Sequence, residues 1–311
     1  MKDEIQKYLD ECVQKRKNPE SPTLDEINGY LAGYMDKRNN LPREEFEGYS
    51  SHEMAFILYP TFDKGASLEI RRMDIADCRQ IPLFRQIAFL LDTIVVEKGI
   101  KLTPNGNLPR KVVLDMYALG APDEYVEMGN AKIRKEDDSI SVRLARGIAD
   151  VIGAIKVSNN RLLLTKKGEE YLSKMPELAN DLIRAVCCEY HPGYFDNMRA
   201  KLTGHLGVGF TLILLNTYGS DRRFESFYSD KYFKAFPALL DEREGLHCYC
   251  LRMFDRMLYH LGIITRKKEE VNKAEGEAFA PIPKTYIEKT PLFDKMILCR
   301  PPKFILNPGR A

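Results

Sequence analysis

One amphipathic pattern occurs twice in the chain and constrains its fold more than any other feature. In the first copy, residues 139–152 carry apolar side chains at helical spacing and run through Gly153 into Ala154-Ile155. In the second copy, residues 246–261 run in the same way through Gly262 into Ile263-Ile264. In both copies a helix leads into a short β-rich stretch. The sequence therefore predicts two copies of one supersecondary unit.

The residues around the first copy predict the rest of that unit. A helix that begins at Pro82 ends at Gly99, residues 100–103 form a short strand, and Pro109 begins a second helix. After residues 139–152, a β-hairpin is predicted over residues 154–165, with its turn at Asn159-Asn160. The order helix, strand, helix, helix, hairpin is that of a winged helix, with residues 139–152 in the recognition position.

The second unit is predicted from helices over residues 209–218, 224–236 and 246–261, followed by a long polar wing tip over residues 266–283 and a helix over 291–298. The predicted fold is therefore mainly α with small β-hairpins, built as tandem winged-helix modules plus a helical N-terminal region. The predicted domains are the N-terminal region 1–80, winged-helix module 1 at 81–175, a linker helix in 176–205, winged-helix module 2 at 206–299 and a tail at 300–311.

Charge and hydropathy limit the class of protein. The 311 residues include 47 basic and 45 acidic ones, for a net charge of +2, which excludes a strongly basic protein but permits a local basic face. No apolar run approaches the roughly 18 residues that span a bilayer, and the charged N-terminus does not look like a signal peptide. We expect a cytoplasmic protein with no membrane partner.

The sequence contains no pattern that is typical of a metal, cofactor or catalytic site. The seven cysteines include no CxxC pair, and Cys248 and Cys250 would point to different faces of a helix. The glycine-rich stretch 204–209 lacks the preceding strand and the Lys-Ser or Lys-Thr pair of a nucleotide loop. We therefore predict no catalytic residue, metal ligand or cofactor, and keep an enzyme with a site between domains as the third alternative.

The first module supplies the nucleic-acid-binding candidates. At 100° per residue, Ser139, Arg143 and Arg146 are predicted to face outward from the recognition helix, beside basic residues of the wing. The full set is Ser139, Arg143, Arg146, Arg161, Lys166 and Lys167. The competing interpretation is an ordinary solvated helix face, because Asp137, Asp138 and Asp150 weaken the positive field.

The second module supplies interface candidates. Its third helix is predicted to expose Tyr249, Arg252, Arg256 and Tyr259, residue types that are enriched in protein interfaces. A partner protein or the first module would fit this face as well as nucleic acid.

Three stretches resemble an uncharacterised bacterial family. They are residues 48–63, which include a Gly-Tyr-Ser-Ser box ending in Met54, the Leu-Thr-Pro-Asn-Gly-Asn-Leu-Pro turn at 102–109, and Leu-Thr-Lys-Lys-Gly at 164–168. Members of that family are sometimes fused to a SEC-C motif or to a plasmid domain associated with mobile elements. The resemblance implies a winged-helix-like core and no established activity, and the cysteine-rich SEC-C tail is missing from this chain.

The leading functional prediction is a non-enzymatic cytosolic binding protein with double-stranded DNA as the first candidate ligand. The alternative is a protein-interaction scaffold, in which the same modules bind another protein or dimerise.

Overall fold

The computed structural model describes residues 2–15, 21–196, 198, 202–204, 206–240, 244–269 and 284–303. They form a mainly helical protein with small antiparallel sheets, as the sequence predicts. The chain divides into two compact units, residues 1–56 with 300–311, and residues 57–299. No helix in these described ranges has the length and apolar character needed to cross a bilayer.

The first unit is helical. It contains helix α1 (Lys2–Gln14), helix α2 (Leu24–Asn39), a 3-10 turn (Glu44–Phe46) and the start of helix α3 (Ser51–Leu58). Helix α2 begins with a capping box, in which the Glu26 N–H donates to Thr23 Oγ1 at 3.3 Å and the Thr23 N–H donates to Glu26 Oε2 at 2.8 Å. Part of the predicted tail belongs to this unit, since the Tyr49 hydroxyl donates to the Arg300 carbonyl at 2.5 Å.

The second unit begins with strand β1 (Leu68–Ile70) and helix α4 (Ile75–Cys78). Its first half continues with α5 (Pro82–Val96), β2 (Ile100–Lys101), α6 (Arg110–Leu119), α7 (Glu124–Glu127), α8 (Ile140–Val151), β3 (Ile155–Ser158), β4 (Arg161–Leu164), α9 (Lys166–Tyr171) and α10 (Met175–Arg184). A π-helix (Ala185–Glu189) extends α10. The three strands form one antiparallel sheet in the order β2-β4-β3, and helices α5, α6 and α8 pack behind it.

The turn between β3 and β4 lies where the sequence places it. Asn159 and Asn160 both have positive φ, 50° and 56°, as a two-residue type I′ hairpin turn requires. The Asn160 side-chain amide also donates to the Leu102 carbonyl at 3.1 Å, which ties the hairpin to the segment after β2. The predictions of a helix over 139–152 and a hairpin over 154–165 are confirmed.

Apart from the short helix α7, the second half of this unit repeats the order helix, strand, helix, helix, hairpin. It contains α11 (Val208–Tyr218), β5 (Arg223–Phe224), α12 (Glu225–Ala235), α13 (Gly245–Cys250) with a π-helical continuation (Leu251–Leu258), β6 (Ile264–Lys268), β7 (Thr285–Lys289), α14 (Pro291–Met296) and β8 (Ile297–Cys299). Its sheet has the order β5-β7-β6, so the first strand again pairs with the last. Of the predicted wing tip, residues 270–283 lie outside the described residues.

One pairing has no counterpart in the sequence analysis. Strands β1 and β8 form a two-stranded antiparallel sheet, with Leu68 opposite Cys299 and Ile70 opposite Ile297. The helix predicted over 291–298 ends at Met296, because the chain then extends to pair with β1. Because the two strands are so far apart in the chain, no local sequence pattern predicts that they pair.

Candidate nucleic-acid interface

Helix α8, for which the sequence predicts the recognition position, is enclosed by the rest of the fold. Asp150 and Val151 at its end are exposed, whereas its other residues are buried or half-buried. It packs against α5, α6 and the π-helix after α10. A helix that reads a DNA major groove needs one free face along its N-terminal half, and α8 presents little of one.

Ser139 caps this helix from inside. It is 1% exposed, and its hydroxyl accepts a hydrogen bond from the Val142 N–H at 3.3 Å. The prediction that Ser139 faces outward is therefore wrong, because a capping side chain turns back towards the backbone of its own helix.

Arg146 binds two acceptors within the protein. Its Nη1 donates to Glu136 Oε2 at 2.7 Å and to the Gly106 carbonyl at 2.9 Å. The same carboxylate oxygen accepts the Leu108 N–H at 2.8 Å. Arg146 and the buried Glu136 thus hold the turn that precedes α6, and Arg143 beside them is half-buried.

Of the three candidates on the wing, Arg161 and Lys167 bind partners within the protein. Arg161 Nη2 donates to the carbonyls of residues 97–99, so it satisfies acceptors at the C-terminal end of α5. Lys167 Nζ lies 3.0 Å from Asp181 Oδ2, which also accepts a hydrogen bond from the Tyr171 hydroxyl. Burial and this bond to Asp181 raise the pKa of Tyr171 to about 12. Lys166 is exposed.

The interface candidates of the second module are mostly buried. Tyr249 is 0% exposed, and its hydroxyl lies 3.0 Å from Thr211 Oγ1. Arg252 is 1% exposed and forms an ion pair with Asp196 at 2.8 Å. The prediction that these two residues are exposed is wrong, whereas Arg256 and Tyr259 are half-buried.

For Arg252, one physical reason is the form of the helix. Residues 251–258 are π-helical, with hydrogen bonds from i to i+5 in place of i to i+4, so a spacing of 100° per residue does not apply to them. Arg252 is held by Asp196 and the Thr203 carbonyl. Tyr249 lies in the preceding α-helix and is covered by Thr211 and the Phe233 ring.

A charged cluster lies where the second sheet meets the first half of the unit. Lys268 Nζ contacts Glu124 Oε2 at 2.6 Å, and Arg266 pairs with Asp255. Together with Glu127 and Tyr259, these cations line a cleft of about 330 Å³. Their carboxylate partners leave this cleft without a strong positive field.

Three acid or base groups behind that cleft have perturbed pKa values. Burial raises the pKa of Asp255. The pKa of Glu225 is also raised, mainly by burial and to a smaller extent by the negative charge of Asp255. Burial, with a smaller effect of Arg266, lowers the pKa of His260 to about 4. Since His260 is 6% exposed, it is closed to a substrate in solution.

A second cleft, of about 820 Å³, lies between the segment after β1 and helices α9 and α10. Its lining mixes four cations with four carboxylates: Arg71, Arg72, Lys167 and Lys174 against Glu69, Glu170, Glu177 and Asp181. This balance favours neither an anionic nor a cationic ligand. No set of three or more His, Cys, Asp and Glu side chains among the described residues is placed to hold a metal ion.

The outer face of the second sheet carries a cluster that the sequence analysis missed. The rings of Phe224 and Tyr286 are stacked, with centroids 4.1 Å apart and planes 28° apart. The Arg222 guanidinium carbon lies 3.9 Å from the Tyr286 centroid, and Lys284 Nζ lies 4.8 Å from the Phe224 centroid. The available signal was the Arg222-Arg223-Phe224 run, but the pairing of β5 with β7 that completes the cluster is not local.

Comparison with known protein families, with curated proteins and with solved structures finds no match for this chain.

Proposed function

We propose that the chain is a cytosolic nucleic-acid-binding protein built on two winged-helix modules, and that phosphate contacts provide most of its affinity for duplex DNA. The observation that carries the proposal is the shared order of elements: helix, strand, helix, helix, hairpin, with sheet orders β2-β4-β3 and β5-β7-β6. In a winged helix the first strand pairs with the last in this way.

The outer face of the first sheet is the proposed contact surface. Lys101 is paired with Arg161, and Lys156 is paired with Leu163 one step along the same face. Cross-strand partners point to the same side of a sheet, so Lys101 and Lys156 share this face. Both are exposed, as is Lys166 directly after β4. Three exposed lysines around one hairpin suit the phosphate backbone, which fixes position without reading sequence.

The enclosure of α8 limits how far the protein can distinguish one DNA sequence from another. Because Arg146 is bound to Glu136 and the helix exposes little of its length, base-edge contacts from α8 are not part of the proposal. We expect weak dependence on DNA sequence and strong dependence on salt.

The test is a titration of random duplex DNA with the full chain at several salt concentrations. Wild type is compared with the triple variant Lys101→Ala, Lys156→Ala, Lys166→Ala. Removal of each lysine–phosphate interaction should flatten the slope of log affinity against log salt by about 0.9. A matched control replaces three other exposed lysines, Lys64, Lys111 and Lys132, with Ala.

The control keeps the change in net charge and moves it away from the first hairpin. Equal reductions of affinity in the two triple variants would mean that only total charge matters, which contradicts the proposed surface. Absence of duplex binding by wild type at low salt would favour the alternative function, a scaffold that binds another protein or itself.

A further inference from the structure

We propose that the outer face of the second sheet is a binding site for single-stranded nucleic acid, with unpaired bases stacking on Tyr286 and Phe224. This inference rests on the proposed nucleic-acid binding and adds a second ligand class at a separate surface.

The register of the sheet places the aromatic residues on the outer face. Tyr286 pairs with Phe224 on one side and with Lys267 on the other, so these three side chains form one row across the sheet. The neighbouring residue Ile287 is 0% exposed and points into the core. Since successive side chains of a strand alternate between faces, the row that contains Tyr286 points outward.

The aromatic rings and cations form a column of successive contacts. Arg222 lies over Tyr286, Tyr286 is stacked on Phe224, and Lys284 lies over Phe224. Because the Arg222 guanidinium and the Phe224 ring both lie so close to the Tyr286 centroid, they occupy opposite faces of that ring. Arg222, Lys267 and Lys284 are exposed around this column.

Such a column suits unpaired bases better than a duplex. A base in a duplex is already stacked on both faces, whereas an unpaired base gains a partner from an aromatic ring or a guanidinium plane. We infer that a base takes the place of Arg222 on the face of Tyr286, and that the displaced guanidinium then pairs with a phosphate. Among the described residues Arg222 forms no ion pair that would oppose this movement.

A cleft beside the column has room for the nucleotide. It measures about 400 Å³ and is lined by Arg222, Arg223, Phe224, Phe227 and Tyr286, with Ser226 and Asp230 at its edge. Arg223 lies 4.7 Å from the Phe227 centroid and 3.0 Å from Asp221, so a second aromatic–cation pair borders the same cleft. Aromatic rings interleaved with cations are the composition of surfaces that follow a single strand without reading its sequence.

The chain provides a direct probe of this site because it contains no tryptophan. The substitution Tyr286→Trp introduces a single indole into the column, and stacking of a base should quench its fluorescence. Tyr59→Trp is the control, since Tyr59 is 72% exposed and lies outside the sheet. Both full-length variants are titrated with oligodeoxythymidine and with a duplex of the same length.

We expect oligodeoxythymidine to quench the indole of Tyr286→Trp and to leave that of Tyr59→Trp unchanged. In parallel, Tyr286→Ala should weaken binding of the single strand by about 5- to 150-fold, whereas Tyr286→Phe, which keeps the ring, should retain it. Duplex affinity should be unchanged in Tyr286→Ala and lowered in the triple lysine variant of the first module.

Three outcomes are decisive. Binding of the duplex but not of oligodeoxythymidine by wild type would overturn this inference and leave the proposed function standing. Binding of neither ligand would overturn both. Binding of oligodeoxythymidine without quenching in Tyr286→Trp, or with equal affinity in Tyr286→Ala, would show that single strands bind elsewhere and would overturn the assignment of this site.

Discussion

The guanidinium of Arg252 holds the carboxylate of Asp196 with two hydrogen bonds, from Nε to Oδ2 at 2.9 Å and from Nη2 to Oδ1 at 2.8 Å. A third bond runs from Nη1 to the Thr203 carbonyl at 2.7 Å. The two side chains are 1% and 5% exposed, so this ion pair is shielded from water. It fixes Asp196 and the Thr203 carbonyl against the π-helix.

Removal of one partner of this pair should destabilise the protein severely. In Asp196→Ala the buried guanidinium of Arg252 is deprived of both carboxylate bonds, and the free energy of unfolding should fall by about 3–5 kcal/mol. The double variant Asp196→Leu, Arg252→Met removes both charges and should recover much of that stability. Urea unfolding of the three proteins measures the difference.

An exposed lysine provides the control for this prediction. Lys174 lies 3.8 Å from Glu177 with half of its side chain exposed, and Lys174→Met should change stability by no more than about 1 kcal/mol. If Asp196→Ala were as stable as Lys174→Met, the buried ion pair would not stabilise the folded protein in solution.

His260 should make stability depend on pH. Because burial lowers the pKa of His260 to about 4, the folded state takes up its proton at a lower pH than the unfolded state, whose pKa is about 6.5. The stabilisation is complete above about pH 6.5 and declines as pH falls towards 4, by about 3 kcal/mol in all. Urea unfolding between about pH 7.5 and 4.5 should show this decline in wild type and a smaller one in His260→Gln.

A pH profile of His260→Gln that coincides with that of wild type would mean that carboxylates, and not His260, cause the acid sensitivity.

Two glycines of the first half should respond to alanine in opposite directions. A Cβ on Gly168 would lie 2.0 Å from the Ala154 carbonyl oxygen, whereas a Cβ on Gly147 would meet nothing within 4 Å. Gly168→Ala should therefore destabilise the protein by about 1–3 kcal/mol, because a backbone atom must move. Gly147→Ala, inside α8, should stabilise it by about 0.5–1 kcal/mol. Thermal unfolding of the two variants checks both signs, and a stable Gly168→Ala would contradict the close packing of α9 on the hairpin.

Local sequence patterns sufficed for much of the first half of the second unit. The apolar stripe that includes Leu144 and Ile148 predicts α8, and these residues are indeed buried. The Asn159-Asn160 pair predicts the hairpin turn, because asparagine tolerates positive φ better than most residues. In both cases the deciding interactions join residues close together in sequence.

Local sequence patterns predict the wrong exposure for charged or aromatic side chains whose partners are distant in the chain. Helical periodicity predicts that Arg252 and Tyr249 are exposed. In the structure both are buried, because Arg252 pairs with Asp196 and the Tyr249 hydroxyl contacts Thr211. Arg146 has the outward position of a DNA contact and instead binds Glu136. Sequence alone assigns a face to a side chain and cannot show what is packed against that face.

The sequence by itself determined helix α8, the hairpin that follows it, the cap at Thr23 and the turn at Asn159, since each depends on a few adjacent residues. Tertiary structure alone decided which cations remain exposed, the pairing of β1 with β8, and the stacking of Phe224 on Tyr286. These features join segments that lie far apart in the chain, and their energy comes from burial and pairing that exist only once the segments meet.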